Sequence, residues 1–385
     1  MMQPVAQGLF AQSSSRPGAT PAQEPKPLGD HRFRWLTAGA AIGGLLALGY
    51  YQLSDGGKQS GRCRPINCAL PYLTISGAIS GLFIAKELAA QRRAELPRAG
   101  EALTFAASEI ALPASASAMW VRDTLVVVAT DSGAQVMSTA PRPAALRRRG
   151  AGLSNLRSVA IGGSNPRLLI GTGTALWETP LTSGLLARVM DGPVDALSAN
   201  GDVVVAAFGA KVRVRHLVNG QMRMDSVNAP APITSTRFDA TSGRWWLTTD
   251  SLLLELAVTD AMPAIAERAQ FSGQARAVAS SPNWIAVALG SDGLAIWPRM
   301  TLVGGGVTSP IVLRGEPRFA FDLAFVGDAL FVAGGVDGVT RVELSPVARI
   351  VGSSRQANYA TTITSDNGVL WVGDRGKNRV LRIIP

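Results

Sequence analysis

The amino-acid sequence predicts an all-β fold, a seven-bladed β-propeller, preceded by an N-terminal transmembrane helix or helical hairpin. Three observations support this prediction. A unit of three or four short strands recurs seven times at a spacing of about 40 residues, which is typical of propeller blades. Turn residues that favour tight hairpins separate the strands of each unit. Two apolar stretches without a charged residue precede the first unit.

The last repeat shows the unit most clearly. An alternating strand (361–364) is followed by the turn Asn367-Gly368 and an apolar strand (369–372), and then by a second turn (374–376) and a third strand (379–384). Asn-Gly and Asp-x-Gly supply the positive φ that tight hairpins need, and β-branched and aromatic residues suit a half-buried sheet. A single unit of this kind cannot bury its own apolar face. Several consecutive units are therefore predicted to pack against one another and bury these faces.

The seven copies align on the last large apolar residue of the middle strand and the small residue after it. Consecutive copies lie 35 to 45 residues apart, and the aligned pairs are Val128-Ala129, Ile170-Gly171, Val205-Ala206, Leu247-Thr248, Val287-Ala288, Val332-Ala333 and Val372-Gly373. A β-sandwich or an irregular β-solenoid also has short strands and turns. Sandwiches rarely hold one period over so long a stretch, however, and solenoid coils are usually shorter.

Composition and charge limit the partners. Hydrophobic residues make up 47% of the chain and charged residues 17%, which predicts that part of it contacts a membrane or a large partner. The net charge is +10, but residues 1–100 hold 11 Lys and Arg against 5 Asp and Glu, and the remainder holds 26 against 22. Because the propeller is only mildly basic, no nucleic-acid partner is expected.

The N-terminal region begins with a tail, residues 1–34, whose Ala, Pro, Ser, Gln and Gly content predicts disorder. Residues 35–53 are predicted to form a transmembrane helix, because 19 uncharged residues cross a hydrocarbon core. Trp35 at one end and Tyr50 and Tyr51 at the other fit the membrane interfaces. A cleaved signal peptide is disfavoured, since the apolar run starts after a long tail and no A-x-A-like site follows it.

A short loop at residues 54–68 contains both cysteines of the chain, Cys63 and Cys68. They are disulfide candidates if the loop lies in an oxidising compartment, and free thiols otherwise. No C-x-x-C-H motif is present and the loop lacks the further ligands of a zinc site, so no cofactor is expected.

Residues 69–93 are predicted to form a second apolar helix with a polar exit. Its apolar part, 69–85, is 17 residues long and contains Pro71, which is short for a span. If it spans, seven positive charges flank the hairpin on the side of the termini against three in the loop, which places the propeller in the cytoplasm at a bacterial inner membrane. If the chain spans once, the propeller is periplasmic.

The propeller domain is predicted at residues 102–385. The last repeat has three strands before the chain ends, so residues 102–113 are the candidate for a strand that completes the last blade and closes the ring.

Catalytic groups are sparse in this domain, and no catalytic or metal-binding residue is predicted. His216 and Tyr359 are its single histidine and tyrosine. His216 lies in an alternating strand, where a lone imidazole is more often a core or solvated side chain than a base. The turn aspartates are adequately explained as turn formers, although they could line one face of the disc; they are Asp131, Asp292, Asp337 and Asp374.

Two features are interaction candidates. Arg147, Arg148 and Arg149 fall in a Pro/Ala-rich segment predicted to be a linker between the first two repeats, where they could hold anionic lipid or an acidic partner, or form a solvated loop. Trp245 and Trp246 occupy adjacent, opposite-facing strand positions. One ring is expected between blades, and the other is either an exposed interface residue or also packed between sheets.

The repeats resemble known families. VLWVGDRGKNRVLRI, which holds Asp374, Gly376, Asn378, Arg379 and Val380, is similar to NHL-type blades. DALFVAGGVDGVTRVEL and WIAVALGSDGLAIWPR are similar to the LVIVD type of bacterial propeller repeat. The Gly-His and Trp-Asp pairs of WD40 repeats and the Asp-box pattern of sialidases are absent. The resemblance implies a recognition or scaffold module and no particular activity.

Two functions follow from these observations. The first is a non-enzymatic, membrane-tethered propeller that acts as a scaffold or accessory subunit of a larger membrane protein complex, for example in respiration, photosynthesis or envelope assembly. Its partners would be subunits of that complex, and the bilayer would hold residues 35–53 and 69–85. The alternative is a lactonase-like hydrolase with a metal in the central channel, for which Asp195, Asp239 and Asp322 are the available early-strand carboxylates.

Overall fold

The computed structural model describes residues 101–122, 125–138, 144–149, 153–181, 185–303, 308–315 and 317–385. The predicted tail, both apolar helices and their loop lie outside these ranges and stay predictions, together with Trp35, Tyr50, Tyr51, Cys63 and Cys68. Among the described residues, no helix has the length and apolar character needed to cross a membrane.

The described residues form 29 strands and one short helix, arranged in seven sheets. Two strands precede the repeats: β1 (Glu101–Ala102) and β2 (Ala106–Ala111). Blade one contains β3 (Ala116–Arg122), β4 (Leu125–Thr130), β5 (Gly133–Ser138) and β6 (Ala144–Arg149). Blade two contains β7 (Leu156–Gly162), β8 (Arg167–Thr172), β9 (Ala175–Pro180) and β10 (Ala187–Asp191). Blade three contains β11 (Ala196–Asn200), β12 (Val203–Phe208), β13 (Lys211–Val218) and β14 (Gln221–Asn228).

The remaining blades follow the same plan. Blade four contains β15 (Ser235–Asp239), β16 (Arg244–Thr248), β17 (Leu252–Ala257) and β18 (Ala264–Gln270). Blade five contains β19 (Ala277–Ser280), β20 (Trp284–Ala288), β21 (Leu294–Pro298), helix α1 (Arg299–Val303) and β22 (Ile311–Leu313). Blade six contains β23 (Asp322–Val326), β24 (Ala329–Ala333), β25 (Val339–Glu343) and β26 (Arg349–Ser354). Blade seven contains β27 (Ala360–Asp366), β28 (Val369–Asp374) and β29 (Arg379–Ile384).

The first strand of every blade is its inner strand. Within each blade the strands pair antiparallel in chain order, and each inner strand also contacts the inner strands of the blades before and after it. The contacts run through all seven blades and return from β27 to β3. The inner strands therefore surround a central channel, and the predicted seven-bladed all-β propeller is confirmed.

The ring is closed by the N-terminal strand β2. It pairs antiparallel with β29 from Ala106 opposite Ile384 to Ala111 opposite Arg379, and so becomes the outer strand of blade seven. The prediction that residues 102–113 supply this strand is confirmed. In addition, β1 pairs in parallel with β26 at the outer edge of blade six.

Each blade is buried on both faces because it packs between two neighbours. In β4, Val126 and Val128 belong to a core shared with Trp371 of blade seven, whereas Val127 and Ala129 face the core shared with blade two. Burial on both faces explains why the middle strands are continuously apolar rather than alternating.

The register confirms the repeat alignment in six blades and shifts it by one residue in blade three. In the six, the small residue of the aligned pair lies opposite the inner-strand residue that starts regular pairing, as Ala129 does opposite Ala118. In blade three, Ala207 takes this position, opposite Ala196. Two small residues, Ala206 and Ala207, follow Val205 in that middle strand, so the residue after the last large apolar one lies one position before the residue in register.

The linker predicted around Arg147, Arg148 and Arg149 is wrong. These residues form the end of β6 and pair with Val136, Gln135 and Ala134 of β5. Consecutive arginines are compatible with a strand here because β6 is the outer edge of blade one, and charged residues are common on edge strands. Their role in binding lipid or a partner stays a prediction.

Asp374 and Arg379 of blade seven hold the closing strand in place. The buried Asp374 carboxylate accepts hydrogen bonds from the backbone N–H of Tyr359 (3.0 Å) and from Arg379 Nε (2.9 Å). Arg379 also donates to the Gln356 carbonyl (2.8 Å) and pairs with Glu109 on β2. Burial alone would raise the pKa of Asp374, but the hydrogen bonds from Tyr359 and Arg379 outweigh it and lower the pKa.

We expect Arg379→Met to lower the free energy of unfolding by about 3 kcal/mol, because it leaves the Asp374 charge buried without its cationic partner. Urea unfolding of the full chain in mild detergent, followed by circular dichroism, measures this change. The matched control is Arg382→Met, on the same strand, since Arg382 forms no ion pair in the described part of the chain. Equal effects of the two substitutions would contradict the assigned role of Arg379.

Candidate functional site

One residue from each blade lies at the end of the channel where the inner strands begin, here called the mouth. These seven rim residues precede the start of regular pairing in their inner strands; they are Ser117, Arg157, Asp195, Thr234, Arg276, Phe321 and Thr361. Because inner strands of neighbouring blades are parallel and in register, residues far apart in sequence form one ring.

Below the rim is a cavity of about 210 Å³. Its lining includes three arginines, Arg157, Arg237 and Arg276, and two aspartates, Asp195 and Asp322. Seven serine and threonine residues also line it: Ser117, Ser158, Thr234, Ser235, Thr236, Thr361 and Thr362. The cavity is thus polar and carries a small excess of positive charge.

Arg157 and Asp195 form an ion pair on the side of blades two and three. Arg157 Nη1 lies 2.9 Å from Asp195 Oδ1, and Asp195 Oδ2 accepts the backbone N–H of Gly209 at 2.8 Å. Both side chains are partly exposed, so the pair contributes little to stability. Its consequence is local: the charges of Arg157 and Asp195 neutralise one another at the rim.

Asp322 lies on the opposite wall, in blade six. Its Oδ1 accepts the N–H of Leu323 (2.8 Å), and its Oδ2 accepts the N–H of Ile363 and the hydroxyl of Thr362, both at 2.9 Å. Burial raises the pKa of Asp322 above its ordinary value, although the positive charge of Arg237 and these hydrogen bonds act in the other direction. The carboxyl therefore joins the inner strands of blades six and seven and has little capacity left for a ligand.

Arg237 extends across the channel. It belongs to the inner strand of blade four, and its Nη2 lies 3.5 Å from Thr364 Oγ1 in the inner strand of blade seven. Blades four and seven are on opposite sides of a seven-membered ring. The guanidinium consequently forms the floor of the cavity.

An aromatic group lies on the side of the mouth formed by blades five to seven. The ring centroids of Phe319 and Phe321 are 4.4 Å apart, and those of Phe321 and Tyr359 are 5.8 Å apart. The guanidinium carbon of Arg276 lies 5.7 Å from the Phe319 centroid, within cation–π distance. Arg276 is exposed and the three rings are half-buried. These four residues are called the rim cluster below.

Two turn glycines make room for these rings. A Cβ at Gly290 would lie 3.1 Å from Phe319, and one at Gly335 would lie 2.9 Å from Phe321; both glycines have positive φ. Backbone hydrogen bonds from Ala320 to Gly290 and from Ala360 to Gly335 hold the segments before β23 and β27 against these turns. The rim cluster is thus held by the backbone as well as by ring contacts.

No protein-family model matches the chain, and no curated protein is similar to it in sequence. Solved structures are similar in fold. Virginiamycin B lyase from Staphylococcus aureus, in selenomethionine form, has a TM-score of 0.57 at 10% identity and covers 73% of this chain and 100% of its own. A catalytically inactive variant of that lyase with quinupristin gives 0.56 at 9% identity, with the same coverage. The computationally designed protein Ika8 gives 0.52 at 12% identity, covering 71% of this chain and 98% of its own.

These similarities show the propeller fold alone. The designed protein and the lyases share it at about the same low identity, so the fold does not by itself indicate an activity. The NHL-like and LVIVD-like character of the repeats stays a prediction.

Of the three carboxylates predicted for a channel metal, the structure brings two to the same cavity. Asp195 and Asp322 line it from opposite walls, whereas Asp239 lies at the far end of β15, about 13 Å along the strand from the mouth. Within the described ranges, no group of three or more His, Cys, Asp or Glu side chains is placed to hold a metal ion.

Both tryptophans of the predicted interface pair are buried, each 2% exposed, so of the two alternatives the packing of both rings between sheets is the one observed. They do point to opposite faces: Trp245 packs in the core between blades three and four, and Trp246 in the core between blades four and five. The strand β16 has a neighbour on both sides, which covers both rings. His216 is likewise a core residue, bonded through Nε2 to Asp225 at 2.8 Å.

Sequence reasoning missed Arg237, Arg276, Phe319 and Phe321. A signal existed for Arg276 and Phe321, since counting back through each hairpin from the small residue of the middle strand reaches the rim position. Counting residues along a hairpin does not reveal that the Arg237 side chain crosses the channel. That crossing depends on the distance between blades four and seven, which the sequence does not give.

Asp239 anchors the far end of the channel. It is 1% exposed, accepts hydrogen bonds from Trp246 Nε1 (3.2 Å) and Ser242 Oγ (2.7 Å), and pairs with Arg299 through both guanidinium nitrogens. Burial alone would raise the pKa of Asp239, but the hydrogen bonds from Arg299 and Ser242 outweigh it, and the pKa falls below its ordinary value of 3.8.

Because the pKa of Asp239 is lower in the folded protein, its contribution to stability is present above about pH 4 and is lost as the pH falls through the folded value. We expect Asp239→Asn to lower the free energy of unfolding by about 3 kcal/mol at pH 7, with a difference from wild type that shrinks below about pH 4. Urea unfolding at a series of pH values measures it. Asp191→Asn, at an exposed position, is the control; a difference for Asp239→Asn that does not change with pH would refute the assignment.

Proposed function

We propose that this chain is a membrane-tethered recognition module, a scaffold or accessory subunit of a larger membrane protein complex, that docks its partner on the mouth face of the propeller. The rim cluster is the observation that carries the proposal. It places one exposed arginine and three half-buried aromatic rings on one face. Aromatic residues and arginine are enriched at protein interfaces, and Arg and Tyr are among the residues that contribute most to binding energy there.

The rim cluster is also suited to an interface by its rigidity. Backbone hydrogen bonds to Gly290 and Gly335 hold its loops, so little side-chain and loop freedom would be lost on docking. Arg276 provides a positive charge beside an apolar surface. We therefore expect the docked segment to carry apolar side chains next to an acidic group.

Tethering is supported by the sequence of residues 35–53 and 69–85, whose apolar character is that of membrane spans. A tether raises the effective concentration of the propeller near membrane partners, so a modest affinity at the rim suffices. The alternative of a metal-dependent hydrolase has less support, because Asp195 and Asp322 already accept hydrogen bonds from the protein.

The test is to extract the tagged full chain from its own membranes in mild detergent and to quantify co-purifying proteins by mass spectrometry. Wild type is expected to retain stoichiometric neighbours, and Arg276→Glu combined with Tyr359→Ala is expected to reduce their recovery more than tenfold, the order of a hot-spot loss.

The control is Arg349→Glu, which reverses the same charge at a well exposed position on β26. Absence of any stable neighbour with wild type would refute the scaffold role. Equal recovery with the rim variant and with the control would refute the mouth face as the docking surface.

A further inference from the structure

The floor of the channel cavity holds a cation without a matching anion. In the described part of the chain, no carboxylate oxygen lies within 4.0 Å of the Arg237 guanidinium, and its hydrogen bond to Thr364 is long at 3.5 Å. Two other largely buried arginines of the domain are paired at short range: Arg299 with Asp239, and Arg215 with Glu178. A guanidinium has five donors, so most of those of Arg237 are available to a ligand.

Asp322 does not serve as the anion that pairs with Arg237. Its two oxygens already accept three hydrogen bonds from Leu323, Ile363 and Thr362, and its interaction with Arg237 is a longer-range attraction. Asp195 is engaged by Arg157 at the rim. Both aspartates lining the cavity are thus occupied before any ligand enters.

Two further polar atoms of the lining lack partners. The hydroxyls of Ser158 and Thr236 make no hydrogen bond with the described residues, although both are buried. Ser158 is 8% exposed and belongs to the ring directly below the rim. Buried hydroxyls without partners are uncommon in proteins. Ser158 Oγ lies 2.3 Å from the position that a Cβ at Gly171 would take, so it is covered by the middle strand of blade two and is not offered to a ligand in the cavity.

We infer that the cavity binds a small organic monocarboxylate, with its carboxylate on Arg237 and its apolar part against Phe321. A carboxylate matches the planar guanidinium and accepts two parallel N–H bonds from it. The lining carries three arginines and two aspartates, an excess of one positive charge, which matches a single negative charge better than a double one.

The cavity has room for a small acid. Its volume is about 210 Å³ and it is open at the mouth. The entrance is bounded on one side by the ring of Phe321 and on the other by the Arg157–Asp195 pair. An acid with a short alkyl or single aromatic group therefore fits. The inference goes beyond the proposed docking function and does not depend on it.

The experiment is calorimetric titration of the purified full chain in detergent with propionate and benzoate, and with propionamide and inorganic phosphate for comparison. The carboxylates are expected to bind with one site per chain and propionamide at least tenfold more weakly. Arg237→Gln is expected to weaken carboxylate binding by about 10- to 100-fold, since it removes charge-assisted hydrogen bonds. Arg349→Gln is the matched control and is expected to bind as wild type does.

Equal binding of propionate and propionamide, or equal affinity of wild type and Arg237→Gln for propionate, would overturn the inference. Phosphate that binds more tightly than either carboxylate and is lost in Arg237→Gln would overturn the monocarboxylate assignment. If Arg237→Gln does not fold, Thr361→Phe replaces it, because a ring at this rim position narrows the entrance without altering the floor and is expected to abolish propionate binding.

Discussion

The pairing of β2 with β29 is the constraint on which the rest of the molecule depends. Every blade covers its two apolar faces with its neighbours, so an open array would leave the outward faces of the first and last blades exposed. Closure removes both faces at once, because Trp371 and Val380 of blade seven then pack against Val126 and Val128 of blade one. Closure by a strand from the other end of the domain also ties stability to a contact of very long sequence separation, which makes folding of such a ring slow.

Closure also creates the candidate site. Residues from Ser117 to Thr362 meet around the channel although successive contributors are separated by a whole repeat. Each blade contributes the same register positions, so the site is a set of seven variable side chains on a repeated backbone. Six of these positions hold neutral residues, a charged pair or an aromatic ring, and the seventh holds Arg276, in a pattern with no period. The buried middle strands, by contrast, remain alike in every blade. In this fold, the middle-strand residues stabilise the propeller, and the residues that line the channel determine what it can bind.

The sequence predicted the repeated elements of the propeller. It did not predict side-chain positions that depend on contacts between different blades. The seven units and the closing strand could be predicted because each follows from local pattern, turn chemistry and the need to cover an edge. The sequence left open whether one ring of Trp245 and Trp246 is exposed. The argument that makes Val126 to Ala129 wholly apolar decides for burial of both rings, since β16 is also a middle strand. Arg237 gave no signal at all, because an arginine in an alternating strand is ordinary until the opposite wall of the channel is known.

The rim cluster and the cavity share Phe321, which lines the cavity and contacts both Phe319 and Tyr359. A partner segment docked on the rim cluster would therefore cover part of the entrance to the cavity. Under the two proposals, binding of a carboxylate on Arg237 and docking of a partner on the rim are linked, and by thermodynamic reciprocity each changes the affinity of the other by the same factor. If the partner's own acidic group reached the floor, the two would compete; if it stayed on Arg276, the partner would trap the ligand below it. Arg276 lies at the surface and Arg237 lies at the floor of the cavity. The length of the partner's acidic side chain therefore decides whether the partner competes with the ligand or traps it.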